Sequence, residues 1–316
     1  MTVAMVVSDV GGTNGRFAIA EYNGSGTLPQ LSSVAVLQCN QFDTFADMLR
    51  TYLEGLDREI PKTARFAIAG EMEPRRGYLW HFNWDISAEQ LEKQFNFENV
   101  TLLNDYEALI YAIPHLNTND IKTISKVTTG LDGAPFGAFG VGSGLGAAIG
   151  VPYKNNVSAV PTEIGHISFG SRSKREYKLM RHYKKSITHI SIETFLSGPG
   201  LTRIYDFLKD PDQPSRTAAE ITTYAQSGKC ETCINTLMMF TNMLARITGD
   251  IALAHGARGG IYIGGGIIPR IVDFIDMKRF MKHFHNKGPM RSYVEGIPVH
   301  IITTEMPSLL GAAIKL

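Results

Sequence analysis

The sequence predicts an α/β protein built from two similar halves, and three observations carry that expectation. Two strand–glycine–strand stretches, Ser8 to Phe17 and Phe139 to Ile149, lie roughly 130 residues apart. Around the first, apolar segments alternate between the period of a strand and that of a helix. At 316 residues the chain also exceeds what one hydrophobic core usually organises, which makes two domains the prior.

The first stretch, Ser8-Asp9-Val10-Gly11-Gly12-Thr13-Asn14-Gly15-Arg16-Phe17, sets a carboxylate and a run of turn residues between the apolar runs Val3 to Val7 and Phe17 to Ala20. A tight hairpin turn needs only two special positions. Here the glycines let backbone N–H groups approach an anion, Thr13 and Asn14 add donors, and Asp9 can hold a cation through water. Phosphate and magnesium are the expected guests.

A third strand follows at Val34 to Leu37, and Phe42, Phe45, Leu49, Leu53 and Leu56 recur at helical spacing. Arg65 to Ala69 reads as a buried strand ending at Gly70. Ser87 opens a helix to Phe95 through a Ser-x-x-Gln pattern, and Val100 to Leu103 is the next strand. Asn104-Asp105-Tyr106-Glu107 then begins a helix that runs to Ile113 and stops at Pro114. The order is βββαβαβα.

The second stretch, Gly140-Val-Gly142-Ser143-Gly144-Leu-Gly146, repeats the first. Gly142, Gly144 and Ala147 also fit the dinucleotide fingerprint G-x-G-x-x-A, with Glu163 farther on, but that fingerprint needs a helix to begin in the loop. Ala147 to Pro152 is short, contains Gly and ends at Pro, which suits a strand. No Walker P-loop exists, since Gly228-Lys229 is followed by Cys230. Each half therefore offers one phosphate cradle to a shared cleft. Farther on, Glu231 to His255 reads as a core helix with Ile234, Leu237, Met238, Leu244, Ile247 and Ile251 on one stripe. The strand Ile261-Tyr-Ile263 leads into Gly264-Gly265-Gly266, a third glycine loop at a strand's carboxyl end, where a flat base can lie against the backbone.

Composition narrows the function. Lys plus Arg number 31 against 30 for Asp plus Glu, a formal charge of +1, so no global field points to nucleic acid or an acidic membrane. The basic run from Arg172 to Lys185 spaces Lys174, Lys178, Arg181 and Lys185 as a solvated helix face, with Leu179 and Met180 inward. No secretory leader and no apolar run of about 18 residues appear, so the cytosol is the expected location. Three cysteines, Cys39, Cys230 and Cys233, cannot make a disulfide framework. Cys230-x-x-Cys233, at the start of a helical pattern and without a partner cluster, reads as two small helix residues.

Outside the glycine loops, the residues that can carry chemistry are Asn104-Asp105, Glu163 with His166, and Glu193. Asn104 with Glu107 makes an N-cap box, which accounts for Asn104 structurally and leaves Asp105 unexplained. A carboxylate at that edge can serve as general base for an alcohol attacking a phosphoryl group. Glu163-Ile-Gly-His166 lacks the order of a zinc helix, and its flanks are β-type.

Assembled, these motifs resemble the bacterial glucokinase family of the actin, hexokinase and heat-shock-chaperone superfamily. The resemblance runs nearly the full length, through Asp9-Val-Gly-Gly-Thr-Asn-Gly-Arg-Phe, Leu103-Asn-Asp-Tyr-Glu-Ala, Gly140-Val-Gly-Ser-Gly-Leu-Gly, Glu163-Ile-Gly-His, Glu193-Thr-Phe-Leu-Ser-Gly-Pro-Gly, Ile263-Gly-Gly-Gly-Ile-Ile-Pro-Arg and the tail Leu309-Leu-Gly-Ala. It implies two ribonuclease-H-like domains flanking a ligand cleft, here a small domain of 1–113 plus 303–316 and a large one of 114–302. It implies ATP with Mg²⁺: Asp9 organising hydrated magnesium, Gly11, Gly12, Thr13, Asn14, Gly142, Ser143 and Gly144 facing phosphates, Gly265 and Gly266 beside the adenosine. Asn104, Glu163, His166 and Glu193 would hold sugar hydroxyls, with Asp105 as base, in a cytoplasmic homodimer that makes glucose 6-phosphate. Other readings are a kinase for another hexose or amino sugar, and a sugar- and nucleotide-binding regulator without turnover. The cysteine-rich zinc motif of the repressor-related sugar kinases does not follow His166. Two stretches depart from the family pattern: Gly70-Glu71-Met72-Glu73 replaces a Pro-containing turn, and His81 stands where an Asn is usual.

Overall fold

The computed structural model describes residues 3–22, 28–154 and 156–314, and its contacts divide the chain into two compact units. One comprises Met1–Asn117, Lys154–Pro161 and Thr304–Leu316, the other Thr118–Tyr153 and Thr162–Thr303. Met1, Thr2, Lys315 and Leu316, at the ends of the expected small domain, lie outside the described residues.

In the first unit β1 (Val3–Val10) and β2 (Asn14–Tyr22) form the expected hairpin, and β3 (Gln30–Gln38) continues it antiparallel. Helix α1 (Phe45–Glu54) starts at Thr44, whose hydroxyl accepts the Asp47 N–H, and buries Phe45, Met48, Leu49, Tyr52 and Leu53. Its aromatic side chains pack on the sheet's: Tyr52 stacks on Phe17 at 5.0 Å, and Phe45 meets Phe66 edge-on at 5.1 Å. Then β4 (Thr63–Ile68) adds parallel to β1. The chain next makes an antiparallel meander of β5 (Glu71–Glu73), β6 (Arg76–Leu79) and β7 (Trp84–Ser87), which the order βββαβαβα omits. These strands are three or four residues long, too short to display a period, though Gly77, Leu79, Trp84 and Ile86 are buried while Glu71, Glu73, Arg76 and Asp85 are exposed. After α2 (Ala88–Phe95), capped by Ser87, β8 (Asn99–Asn104) pairs parallel with β4 and leads directly into α3 (Asp105–Ala112). The sheet order is β3-β2-β1-β4-β8.

The second unit repeats this plan. After β9 (Ile121–Thr123), strands β10 (Phe136–Val141) and β11 (Leu145–Tyr153) form an antiparallel hairpin. Most of β12 (Asn156–Thr162) clusters with the first unit. Helices α4 (Lys174–Tyr183), α5 (Gly198–Leu208), α6 (Ala218–Gln226) and α7 (Glu231–Ala254) follow. On α4 the basic positions face solvent and Leu179 is buried as expected, but so is Glu176, which holds the Arg172 N–H at 2.8 Å and the Arg246 guanidinium at 3.3 Å. Strand β13 (Gly260–Gly264) pairs parallel with β10. Past α8 (Ile268–Ile271), α9 (Met277–Phe284) and α10 (Arg291–Glu295), β14 (Val299–Ile302) pairs parallel with β13 and antiparallel with β9. The succession β11-β10-β13-β14 thus matches β2-β1-β4-β8, a hairpin followed by two parallel strands. Both units have the ribonuclease-H-like arrangement. The chain ends on α11 (Pro307–Ala313), packed on the first unit's sheet through Leu309, Ala312 and Ala313.

Candidate active site

In the first unit, parallel pairing sets three strand ends level. Val10 on β1 registers with Ile68 on β4, and Ile68 with Asn104 on β8, so the strand that carries Asp9 and the strand that leads into Asp105 open on one sheet edge with their axes two strand spacings, about 10 Å, apart. The tip between β1 and β2 is closed by the Gly11 N–H to the Asn14 carbonyl, 3.0 Å, and Ala69 N–H holds the Val10 carbonyl at 2.8 Å. Thr13 is exposed; Gly11, Gly12 and Asn14 are half-buried. Asp9 registers with Arg16 across the hairpin, and their side chains meet at 3.4 Å. Burial, partly offset by the Arg16 charge and hydrogen bond, pushes the Asp9 carboxyl above its ordinary value.

Asn104 makes the capping box expected for it. Its Oδ1 accepts the N–H groups of Tyr106 at 2.9 Å and Glu107 at 3.4 Å, while the Glu107 carboxylate accepts the Asn104 N–H. Its amide also donates to the Gly70 carbonyl at 3.4 Å. Asp105 is therefore the first residue of α3, half-buried, at the helix's positive end. The Tyr106 phenol feels both carboxylates: burial, then the charges of Asp105 and Asp9, push it well above its ordinary value. Sequence reasoning did not single out Tyr106 or Arg16.

In the second unit the tip between β10 and β11 spans 142–144, with the Gly142 N–H to the Gly144 carbonyl at 2.9 Å. Glu193 supports it. Its Oε2 accepts the Leu145 N–H at 2.7 Å, its own N–H donates to the Gly165 carbonyl at 2.9 Å, and its carbonyl accepts the Ser197 hydroxyl at 2.8 Å. Ser197 caps α5, whose Gly198 N–H reaches the Gly142 carbonyl at 2.8 Å. One glutamate thus joins the tip, the 163–166 turn and the start of α5. The flanks of the 163–166 motif are β-type as expected, strand β12 before it and extended backbone at Ile167 after it, while 164–166 itself is a 3₁₀ turn; Gly165 lies against the Leu145 carbonyl, where a Cβ would stand at 2.2 Å. His166 Nε2 and Glu163 Oε2 are 3.8 Å apart on mostly exposed side chains. Gly265-Gly266 follows Gly264, the last residue of β13, and the Ile267 N–H returns to the Val141 carbonyl at 3.1 Å. Gly265 has φ +88° and its missing Cβ would stand 2.4 Å from Val141 N, so only glycine closes this loop against the tip.

The first unit thus brings together Asp9, Gly11, Gly12, Thr13, Asn14, Asn104 and Asp105. The second brings together Gly142, Ser143, Gly144, Glu163, His166, Glu193, Gly265 and Gly266. Among the described residues no group of three or more His, Cys, Asp or Glu side chains is poised around a metal. A lone carboxylate beside a phosphate-type loop suits magnesium, which keeps several waters and binds through one or two carboxylates plus substrate phosphates.

A family model described as Glucokinase matches residues 6–316. The glucokinase of Saccharophagus degradans is 33% identical over 311 residues, 98% of this chain and 96% of that one. The chain belongs to the glucokinase family. The Campylobacter jejuni subsp. doylei family member is 34% identical over 316 residues, covering 98% of this chain and 93% of its own length. Among solved structures, the glucokinase from an Antarctic psychrotroph superposes with a TM-score of 0.84 at 31% identity, covering 98% and 97% of the two chains. Glucokinase from Balamuthia mandrillaris, solved in complex with glucose, shares the fold with a TM-score of 0.81 at 22% identity, over 99% and 93%.

Proposed function

We propose that this glucokinase-family chain transfers the γ-phosphoryl group of ATP to the 6-hydroxyl of glucose, giving glucose 6-phosphate, the first step of glycolysis. The observation that carries the reading is Asp105 at the N-terminus of α3, level with the Asp9 glycine tip on one sheet edge. Asp105 takes the proton of the 6-hydroxyl as its oxygen attacks. Gly11, Gly12, Thr13 and Asn14, with Gly142, Ser143 and Gly144, present backbone and hydroxyl donors to the phosphates, and Gly265 and Gly266 take the adenosine. Asp9 fits a hydrated Mg²⁺, whose chemistry is to neutralise phosphate charge.

Asn104, Glu163, His166 and Glu193 bind sugar hydroxyls. Ionised carboxylates only accept, and Asn and His both donate and accept, a set suited to a neutral polyol and hostile to anionic sugars. Glu71 and His81 bear on the choice of hexose. The functional domains are taken as 1–113 plus 303–316 and 114–302, in a cytoplasmic homodimer.

The test is a hexose panel in a coupled ADP-release assay with wild type and Asp105→Asn. Glucose turnover in the variant falls by ~10² or more, with glucose binding kept within about tenfold. Turnover within a fewfold of wild type removes Asp105 as the base, and a wild type inactive on every sugar removes the reading.

A further inference from the structure

Cys230 and Cys233 have no part in phosphoryl transfer, yet they are not merely small helix residues. Cys230 is the N-cap of the 24-residue α7, and its sulfur accepts the Cys233 N–H at 3.3 Å. The sulfur occupies the place of a capping hydroxyl or carboxylate, where the helix's first turn favours negative charge. The Cα separation of residues i and i+3 depends on the two residues between them, and Glu231 and Thr232 are both helical. That geometry sets the Cα atoms about 5 Å apart, within the range a disulfide spans.

The two thiols differ in the way exchange requires. Cys230 is half-buried and reachable, whereas Cys233 is 0% exposed in the core behind it. Partial burial opposes the Cys230 thiolate, but hydrogen bonds from the Cys233 thiol and N–H, with the Arg216 charge, outweigh it and hold the thiol below its ordinary value. Burial, then the neighbouring Cys230, pushes Cys233 up to about 12. The remaining cysteine, Cys39, is buried in the first unit and pushed up to about 11, chiefly by burial.

We propose that Cys230 and Cys233 form a redox-active dithiol that exchanges with low-molecular-weight disulfides, Cys230 attacking and Cys233 resolving. The Cys230 thiolate attacks one sulfur of RS–SR, that S–S bond breaks, and RS⁻ leaves with its electron pair and takes up a proton. A mixed disulfide remains on Cys230. Cys233 gives its proton to solvent, its sulfur attacks Cys230 Sγ, and a second RS⁻ departs and is protonated. Two electrons and two protons have passed from the cysteine pair to the disulfide, giving one internal disulfide and two RSH.

Reduced protein is incubated with oxidised glutathione, quenched in acid and weighed intact, and its cysteine peptides are mapped. Wild type loses the mass of two hydrogens and links Cys230 to Cys233. Cys233→Ser and Cys233→Ala instead hold one glutathione on Cys230, formed at least ~10-fold faster than any adduct on Cys39. Cys230→Ser keeps a good N-cap residue, folds, and takes up no glutathione at Cys233. Wild type that stays fully reduced, or that accumulates a single unresolved adduct, overturns the proposal. So does a Cys233 variant whose Cys230 stays unmodified.

Discussion

The two glycine tips are built alike and lined differently. Each closes on one backbone hydrogen bond, Gly11 to Asn14 or Gly142 to Gly144, and each is held from the adjacent parallel strand's exit, by Ala69 to Val10 or Ile267 to Val141. The first tip is one residue longer and stands on the Asp9–Arg16 pair; at the corresponding place the second has Gly140 opposite Gly146. Repetition of the scaffold accounts for the backbone cradles in both units. The first carries the Asp9–Arg16 pair, to which the proposed metal-bearing phosphate belongs; the second has the Glu193 carboxylate, occupied by its own Leu145 N–H. The second tip takes its rigidity from Glu193, and the 163–166 turn that glutamate holds is where Glu163 and His166 stand.

The largest expected difference between the units is their response to acid. His255 and His300, both in the second unit and buried, are pushed down to about 4 by burial. Their neutral forms favour the fold, so their contribution is present above the ordinary histidine value of 6.5 and is lost as pH falls toward 4, on the order of 3 kcal/mol for each. In the first unit Glu107 works the other way: burial raises its carboxyl above 4.5, so its contribution is present below that value and is lost as pH rises through the raised one. Acid should therefore loosen the second unit first. Denaturation midpoints from pH 7.5 to 4.5, with hydrogen exchange at pH 5 resolved by unit, check this. Equal loosening of both units, or a flat profile, rules it out.

Removing the charge from the first tip comes next. Asp9→Asn keeps the size of the side chain and leaves Arg16 without its partner. A group acting on a metal through its waters costs about 10–100-fold when lost. The kcat/KM for ATP should drop by that factor and recover in part at high Mg²⁺, while Ser143→Ala on the second tip stays within about threefold. If the two variants lose equally, the metal assignment to the first tip is wrong.

How far the sequence discloses this site depends on how local each piece is. The glycine tips, the Asn104–Glu107 box and the Ser87 and Asn104 helix starts are written within a few neighbouring residues, and the structure has them as read. Arg16 is also within reach: a hairpin centred on the tip pairs position 9 with position 16, and the motif contains both. Tyr106 is hidden because its approach to Asp9 and Asp105 arises from the fold and no local pattern encodes it. The β5–β7 meander is hidden because its strands are too short to show a period. Glu193 reaches Leu145 across 48 residues, so its acidity is legible and its structural duty is not. The Cys230-x-x-Cys233 spacing is legible too, but only the helix boundary shows that the first sulfur is the cap.

The smallest effect is the one that best separates ligand binding from folding, and it uses one glycine from each tip. A Cβ on Gly11 would meet no atom within 4 Å, so Gly11→Ala should leave stability unchanged. If phosphate approaches that backbone, the added methyl stands in its way and the KM for ATP rises by roughly tenfold. A Cβ on Gly144 would stand 2.4 Å from Glu193 Oε2. The carboxylate must swing away and release the Leu145 N–H, a loss of about 1–2 kcal/mol in stability. Because Glu193 also anchors the 163–166 turn, glucose KM should rise together with that of ATP. Thermal melts and two-substrate kinetics on both variants decide it: Gly11→Ala should melt with wild type and bind ATP poorly, and Gly144→Ala should melt early and bind both substrates poorly. A Gly11→Ala protein with normal ATP kinetics would show that the first tip does not hold phosphate through its backbone, leaving Asp9 alone to account for the nucleotide at that edge.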